Sequence, residues 1–340
     1  MHEPVFWYRP PSLASRLLMP LGAVYGAVAA RRLARGGIDA GIPVLCVGNY
    51  HVGGAGKTPA VLALVNLLRD TGEAPIVLSR GYGGKLRGPI KVDPDRHAAI
   101  DVGDEPLMMA WAVPVVVARE RADGVALARS QGASVILMDD GFQNPAIAKD
   151  ASLIVIDGDR GLGNACVFPA GPLRAPLPPQ LARTDALIIV GDGIAADTVA
   201  AAIAAQGGLV LHAHLKPSGA SVAALRGRRV LAFAGIGDPA KFFRTLRMSG
   251  VEVVTEQAFA DHHAFSESEI EALTAAAKRD GLTLVTTEKD LARLSNGGKL
   301  MPAARDIVPF AVTLRFDDEA KLQRFVTDRL FKSRAKKFRS

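Results

Sequence analysis

The string Val52-Gly-Gly-Ala-Gly-Lys-Thr-Pro59 is the strongest chemical signal in the chain. Glycines at Gly53, Gly54 and Gly56, with the small Ala55 between, let backbone N–H groups wrap phosphate oxygens. Lys57 can reach the β- and γ-phosphates of ATP, and the Thr58 hydroxyl suits Mg²⁺. One position departs from the usual pattern: the place five residues before the final glycine is His51. By spacing alone this is an imperfect Walker A, supported by its context directly after a strand and before a helix. Such a loop needs an acidic partner at the end of a neighbouring strand, and the apolar run 134–138 leads into Asp139-Asp140-Gly141. Asp104 and Glu105, at the start of a predicted helix, read either as catalytic carboxylates or as helix caps. His262 and His263 follow Asp261, a pairing that is more often structural than catalytic.

Strands and helices must alternate to hold these groups. Apolar runs at 43–47, 74–79, 113–118, 134–138, 152–156 and 185–190 read as strands. Helical patterns at 58–69, 104–112 and 121–131 lie between them, as in a parallel sheet covered on both faces. A second unit is expected from about 223, with strands at 230–234, 251–255, 282–286 and 307–313. Its helices are expected at 239–248, from Ser266 with Glu269 as a capping box, and from Asp317. Residues 165–184 are too proline-rich for regular structure, and a loop that long is more often functional than not. The expected fold class is α/β: a P-loop NTPase-like parallel sheet covered by helices, a second smaller α/β domain and an N-terminal membrane-interface helix. The divisions are 1–40, 41–222, 223–328 and a basic tail at 329–340.

The 340 residues are too many for one comfortable core. Two cysteines, Cys46 and Cys166, form no metal-binding pattern and no disulfide framework. The formal charge of +7 sits at the ends: the last twelve residues hold six basic side chains and no acid, and residues 1–40 hold five Arg against Glu3 and Asp39. The body is left at about −2, which gives no basic groove for nucleic acid. The apolar stretch 17–30, flanked by Arg16 and Arg31–Arg32 and preceded by Phe6, Trp7 and Tyr8, falls short of the roughly 20 residues of a span. It reads as an interfacial helix, with a helix packed on the core as the alternative.

Several strings together resemble the tetraacyldisaccharide 4′-kinases, the lipid A 4′-kinases. They are the glycine-rich string, Ser79-Arg-Gly-Tyr-Gly-Gly-Lys85, Val102-Gly-Asp-Glu-Pro106 and Asp139-Asp-Gly-Phe-Gln143. Pro169-Ala-Gly-Pro-Leu-Arg174, Ala234-Gly-Ile-Gly-Asp-Pro239, Asp261-His262 and Thr287-Glu-Lys-Asp290 continue the match in the family's order. The resemblance implies transfer of the ATP γ-phosphate to the 4′-hydroxyl of a tetraacyl disaccharide 1-phosphate, giving lipid IVA. It implies a peripheral, monomeric enzyme on the cytoplasmic face of a Gram-negative inner membrane, with an acylated disaccharide lipid as substrate. It makes Asp104 the general base, partnered by His262. Lys57, Thr58, Glu105, Asp139 and Asp140 would organise phosphate and Mg²⁺, and Arg121, Gln143 and Arg174 would lie near substrate. Where many relatives continue Leu-Arg-Glu, this chain has Leu173-Arg174-Ala175, so no role passes to that glutamate. Relatives often carry Thr where His51 stands.

Other nucleotide-binding readings fit less well. Partitioning-type ATPases carry a lysine before the glycine pair, where this chain has Val52. A guanine-specific Asn/Thr-Lys-x-Asp would need the lysine of Thr287-Glu-Lys-Asp290 one place earlier. A nucleotide-gated membrane scaffold remains the non-enzymatic alternative, set apart by whether any acceptor is phosphorylated.

Overall fold

The computed structural model describes residues 3–337. Ser12 accepts a hydrogen bond from the Ser15 N–H and opens α1 (Leu13–Leu33). One face of α1 buries Ser15, Gly22, Gly26 and Leu33. A Cβ on Gly22 would stand 2.9 Å from the Val167 carbonyl oxygen, and one on Gly26 3.2 Å from Pro176, so the missing side chains allow close packing on the proline-rich segment. Leu13, Leu17, Leu21, Val24 and Val28 are exposed at spacings that form one stripe. The expected length is corrected here: α1 has 21 residues, long and apolar enough to cross a membrane by those two measures. Arginine is a good helix former, so the backbone continues through Arg16, Arg31 and Arg32 beyond the apolar run.

The next elements are β1 (Val44–Gly48), α2 (Lys57–Asp70), β2 (Pro75–Ser79), β3 (Ile90–Lys91), α3 (Ala99–Val102), α4 (Asp104–Ala110) and β4 (Val115–Val117). They are followed by α5 (Arg121–Ser130), β5 (Val135–Asp139), β6 (Ala151–Asp157), α6 (Leu177–Leu181), β7 (Ala186–Val190), α7 (Asp197–Ala205) and β8 (Leu209–Pro217). A second group comprises α8 (Gly219–Leu225), β9 (Arg229–Ala234), α9 (Pro239–Met248), β10 (Glu252–Ala258), α10 (Glu267–Arg279) and β11 (Thr283–Thr287). It continues with α11 (Glu288–Arg293), the hairpin β12 (Ser295–Asn296) and β13 (Lys299–Leu300), and β14 (Val308–Phe310). The chain closes with β15 (Val312–Phe316) and α12 (Glu319–Lys337).

The larger sheet has nine strands in the order β15-β8-β7-β6-β1-β5-β2-β4-β3, antiparallel only at its two edges. Its inner strands β1, β5, β6 and β7 are buried along their whole length. Alternate residues feed two cores, Leu45 and Val47 on one face and Val44 and Cys46 on the other. That two-sided burial explains their near-continuous apolar sequence. A second, wholly parallel sheet has the order β10-β9-β11-β14.

Three expectations about the C-terminal third are corrected. The run 307–313 is not one strand: β14 pairs with β11 in the small sheet, and β15 pairs with β8 in the large one. The break falls at Ala311, whose N–H donates to Ser221 Oγ and whose carbonyl accepts the Ser218 N–H. A contiguous 223–328 unit therefore does not describe the sheets, because residues from 312 onward return to the large sheet. The basic stretch 329–340 is not a free tail as far as Lys337. Leu322, Val326, Leu330 and Ser333 bury one face of α12, and its charges find acids: Arg329 with Asp185 at 2.9 Å, Arg334 with Glu73 at 2.7 Å, and Lys337 with Asp39 at 3.1 Å. Helical spacing of those buried residues docks the segment, and the pairing uses charge that the composition placed at the chain's end. The remainder of the expected tail, 338–340, lies outside the described residues. Within 165–184, α6 is a short helix where none was expected, and α7 with β8 fills a stretch to which no element was assigned.

Candidate active site

The glycine-rich string joins the C-terminal end of β1 to α2, with Gly56 as N-cap at φ +82° and Lys57 as the first helical residue. Gly53 has φ +105°, and a side chain there would run into the Glu3 carboxylate. Both positions favour glycine through their positive φ, since the Glu3 carboxylate, at the end of a flexible side chain, could swing aside. Thr58 and Pro59 lie in the first turn of α2, where proline's missing N–H costs no helical bond. The proline-rich segment braces this loop: the Val52 N–H donates to the Pro172 carbonyl at 2.8 Å and the Arg174 N–H to the Tyr50 carbonyl at 2.8 Å.

Parallel pairing of β1 with β5 sets Val47 opposite Asp139, so the acidic pair ends beside the loop. Asp140 has φ +48°, a left-handed conformation uncommon outside glycine. Its Oδ1 accepts from Arg174 Nη1 at 2.8 Å and lies 3.6 Å from Lys57 Nζ. Burial alone would raise the Asp140 carboxyl, but Lys57 and Arg174 outweigh it and hold it at about 2. Asp139 goes the other way, pushed up to about 7 by burial and then by the charges of Glu105 and Asp140. Its Oδ2 accepts from Ser79 Oγ at 3.2 Å, while Oδ1 is buried without a hydrogen-bond partner.

That orphaned oxygen is an observation in favour of a cation at this place. Among the described residues no three His, Cys, Asp or Glu side chains converge into a metal cage. Nucleotide-bound Mg²⁺ does not require one, because it takes one or two protein carboxylates and completes its shell with phosphates and water. Asp139, Asp140, Glu105 and the Thr58 hydroxyl are oxygen donors of the right hardness, so the residues present fit that ion.

Asp104 opens α4 and is 6% exposed. Its Oδ1 accepts the Glu105 N–H at 2.9 Å, and its Oδ2 faces the second sheet's elements. There His262 Nδ1 stands at 2.9 Å, and Arg293 places Nε at 2.8 Å and Nη2 at 2.5 Å. Lys289 Nζ lies 3.9 Å from the same oxygen and 3.0 Å from Glu105 Oε1. Burial would raise the Asp104 carboxyl, but the His262 hydrogen bond and the charges of Lys289 and Arg293 hold it well below the usual range. For Glu105 the Lys289 charge is the main cause of a lowered carboxyl, acting against burial. His262 has φ +58°, so two of the three non-glycine residues with positive φ among those described, Asp140 and His262, belong to this candidate site. His263 is packing instead: its ring stacks on Phe259 at 4.9 Å and its Nε2 meets Glu269 at 3.0 Å.

Two expected substrate contacts are engaged within the protein. Arg121 is buried, with Nη1 donating to the Ala118 carbonyl at 2.7 Å. Gln143 donates through Nε2 to the Asn49 carbonyl at 2.7 Å and to Gln180 Oε1 at 3.1 Å. Gln143 thus braces the sheet end, whereas the buried Arg121 Nε has no hydrogen-bond partner within the protein and its guanidinium feels the charges of Asp139 and Asp140. Arg174 reaches the cleft through Asp140. Lys289, Arg293 and Tyr82 were not singled out from sequence, although Lys289 lies in the quoted Thr287-Glu-Lys-Asp290 string and Tyr82 in Ser79-Arg-Gly-Tyr-Gly-Gly-Lys85. The Tyr82 ring centroid stands 5.8 Å from that of His262. An i, i+4 pair of cations on a short helix was the signal for Lys289 and Arg293, and it reads first as a solvated face.

The model for the family "Tetraacyldisaccharide-1-P 4'-kinase" matches residues 14–331. A tetraacyldisaccharide 4′-kinase of Nitrobacter hamburgensis is 70% identical over 334 residues, covering 98% of this chain and 100% of that protein. One of Bradyrhizobium diazoefficiens is 67% identical over 338 residues, covering 99% of each. The crystal structure of LpxK from Aquifex aeolicus in complex with ATP superposes with a TM-score of 0.70 at 25% identity, covering 94% of this chain and 100% of that one. The chain therefore belongs to the tetraacyldisaccharide-1-P 4′-kinase family, the kinases of lipid A biosynthesis.

Proposed function

We propose that this chain moves the ATP γ-phosphate to the sugar 4′-hydroxyl with Asp104 as the base and the Val52–Pro59 string as the phosphate cradle. The observation that carries the reading is the Lys57–Asp140 pair at the large sheet's end and the Asp104–His262 pair beside it, linked through Glu105, whose charge interacts with both Lys57 and Asp139. Backbone N–H groups of the cradle and the α2 N-terminus would bind the phosphates, and Lys57 would neutralise charge on the transferring group. Thr58, Asp139, Asp140 and Glu105 would hold Mg²⁺, which supplies further neutralisation of the β- and γ-phosphate oxygens when bound.

A sugar hydroxyl is a poor nucleophile, so a carboxylate that accepts its proton during attack is useful. Asp104 Oδ2 would take that proton after exchanging one of its present donors for the hydroxyl. His262, 36% exposed at its side chain, is the donor with room to move. Packing of α11 against α4 brings the second sheet's elements over the cleft, which limits access of water to the phosphate.

The exposed stripe on α1, with Arg16, Arg31 and Arg32 beside it, suits an interfacial helix lying on anionic lipid. This supports a peripheral place on the cytoplasmic face of the Gram-negative inner membrane, where the acyl chains stay in the bilayer while the sugar enters the cleft. The test is ATP-dependent phosphorylation of tetraacyl disaccharide 1-phosphate in detergent micelles by wild type, Lys57→Ala and Asp104→Asn. A new sugar monophosphate, lost in both folded variants, is expected. Undiminished product from Asp104→Asn would remove the assigned base.

A further inference from the structure

The Asp104 carboxylate has two kinds of partner. His262 sits on a loop at positive φ and is partly exposed. Arg293, whose side chain is 6% exposed, closes α11 and is held from behind. Its Nη1 donates to Asp290 Oδ1 at 2.5 Å and to the Gly235 carbonyl at 2.6 Å. Asp290 is itself fully buried, accepting the Gly235 N–H at 3.1 Å and the Thr287 hydroxyl at 2.7 Å on Oδ2. One edge of the guanidinium is thus tied to the ends of β9 and β11, and the other forks onto Asp104 Oδ2 through Nε and Nη2.

Resting on the kinase reading above, we propose that Arg293 is a positioning residue for the phosphoryl transfer, fixing where the Asp104 carboxylate stands relative to the sugar hydroxyl. A planar, pre-organised fork held on its far side defines the direction of a carboxylate oxygen far better than a loop histidine does. Lys289, one helical turn earlier, pairs with Glu105 as a single point charge at 3.0 Å. The two cations therefore register α11 against the two consecutive carboxylates at the start of α4. His262 is left as the exchangeable partner, which admits the hydroxyl while the carboxylate remains in place. Transfer through a loose transition state depends mainly on positioning, so the fixed partner matters for turnover more than for substrate affinity.

The experiment measures initial rates of full-length wild type, Arg293→Ala and Arg293→Lys in micelles, with ATP and lipid each varied, alongside thermal unfolding of each protein. Arg293→Ala is expected to lose about 100-fold in kcat, the cost of a small misplacement at the reacting centre, with both KM values little changed. Millimolar guanidinium hydrochloride should restore part of that loss, and the same concentration of sodium chloride none. Arg293→Lys should fall between, since it keeps the charge and lacks the fork. Wild-type turnover in the same assay separates failure of this inference from failure of the kinase reading. The inference is overturned if folded Arg293→Ala turns over like wild type, or if its loss resists guanidinium and matches a raised KM. Should Arg293→Ala not fold, Arg293→Lys decides: reduced kcat at unchanged KM supports the proposal, and wild-type kcat overturns it.

Discussion

Lys57, Thr58 and the glycines before them occupy consecutive positions between β1 and α2, whereas Asp104 finds its partners 158 and 189 positions along the chain. The first region is built by a local turn and braced by a neighbouring loop. The second exists only where α4 of one sheet meets α11 and the His262 loop of another. The cradle should therefore survive changes that disturb the meeting of the two parts, while the base should not. On the proposed roles, nucleotide binding and proton acceptance should be separable, and each can be attacked alone.

The largest expected effect tests that separation. Asp104→Asn should lower turnover about 10²–10⁴-fold, the usual contribution of a positioned base, with ATP binding by titration calorimetry unchanged. Lys57→Ala should weaken ATP binding as well as turnover. Equal loss of ATP affinity in both variants would break the comparison. Next, Asp139→Asn should raise the Mg²⁺ concentration for half-maximal rate by about tenfold or more, read in the same kinase assay. An unchanged Mg²⁺ requirement would show that the orphaned oxygen serves something other than the ion.

A third change addresses the lipid rather than the nucleotide. Leu17→Glu with Leu21→Glu alters only exposed positions, so flotation with anionic vesicles should show roughly tenfold weaker partitioning at an unaltered melting temperature. Unchanged flotation would detach α1 from the membrane role. His51 offers a smaller, pH-dependent effect. Burial, the main cause, holds its imidazole down at about 4, against an ordinary value near 6.5. Between those values the unfolded chain binds the proton and the folded one does not, so stability falls as pH drops from 6.5 towards 4. His51→Asn should flatten that slope in urea midpoints measured across the window. The smallest effect is expected from Arg334→Ala, since its pair with Glu73 is partly exposed and such pairs contribute up to about 1 kcal/mol. A larger drop in the unfolding midpoint would mean that the α12 dock carries more stability than a surface pair.

The cradle was readable in the sequence because its physics is local: glycine spacing, a lysine, a hydroxyl, a strand before and a helix after. The apolar inner strands were readable for the same kind of reason, since burial on both faces leaves an unbroken hydrophobic run. His262 and Asp104 were recognised through resemblance, because a lone aspartate at a helix start and a histidine pair in a loop carry no periodicity of their own. Gln143 was expected near substrate, and its amide donates to the Asn49 carbonyl and to Gln180, an engagement that no residue pattern reports.

What the sequence determined by itself was the run of strands and helices that builds the middle of the large sheet, the glycine-rich turn after β1 and the acidic end of β5, all set by interactions within a few residues. Only the tertiary structure decided that 308–310 and 312–316 join different sheets, that α12 docks instead of trailing, and that Arg293 reaches Asp104. Each of these depends on which backbone or charge lies across a gap in space. Hydrophobic pattern and charge count report that a group needs a partner, and the packing of the whole chain selects which one.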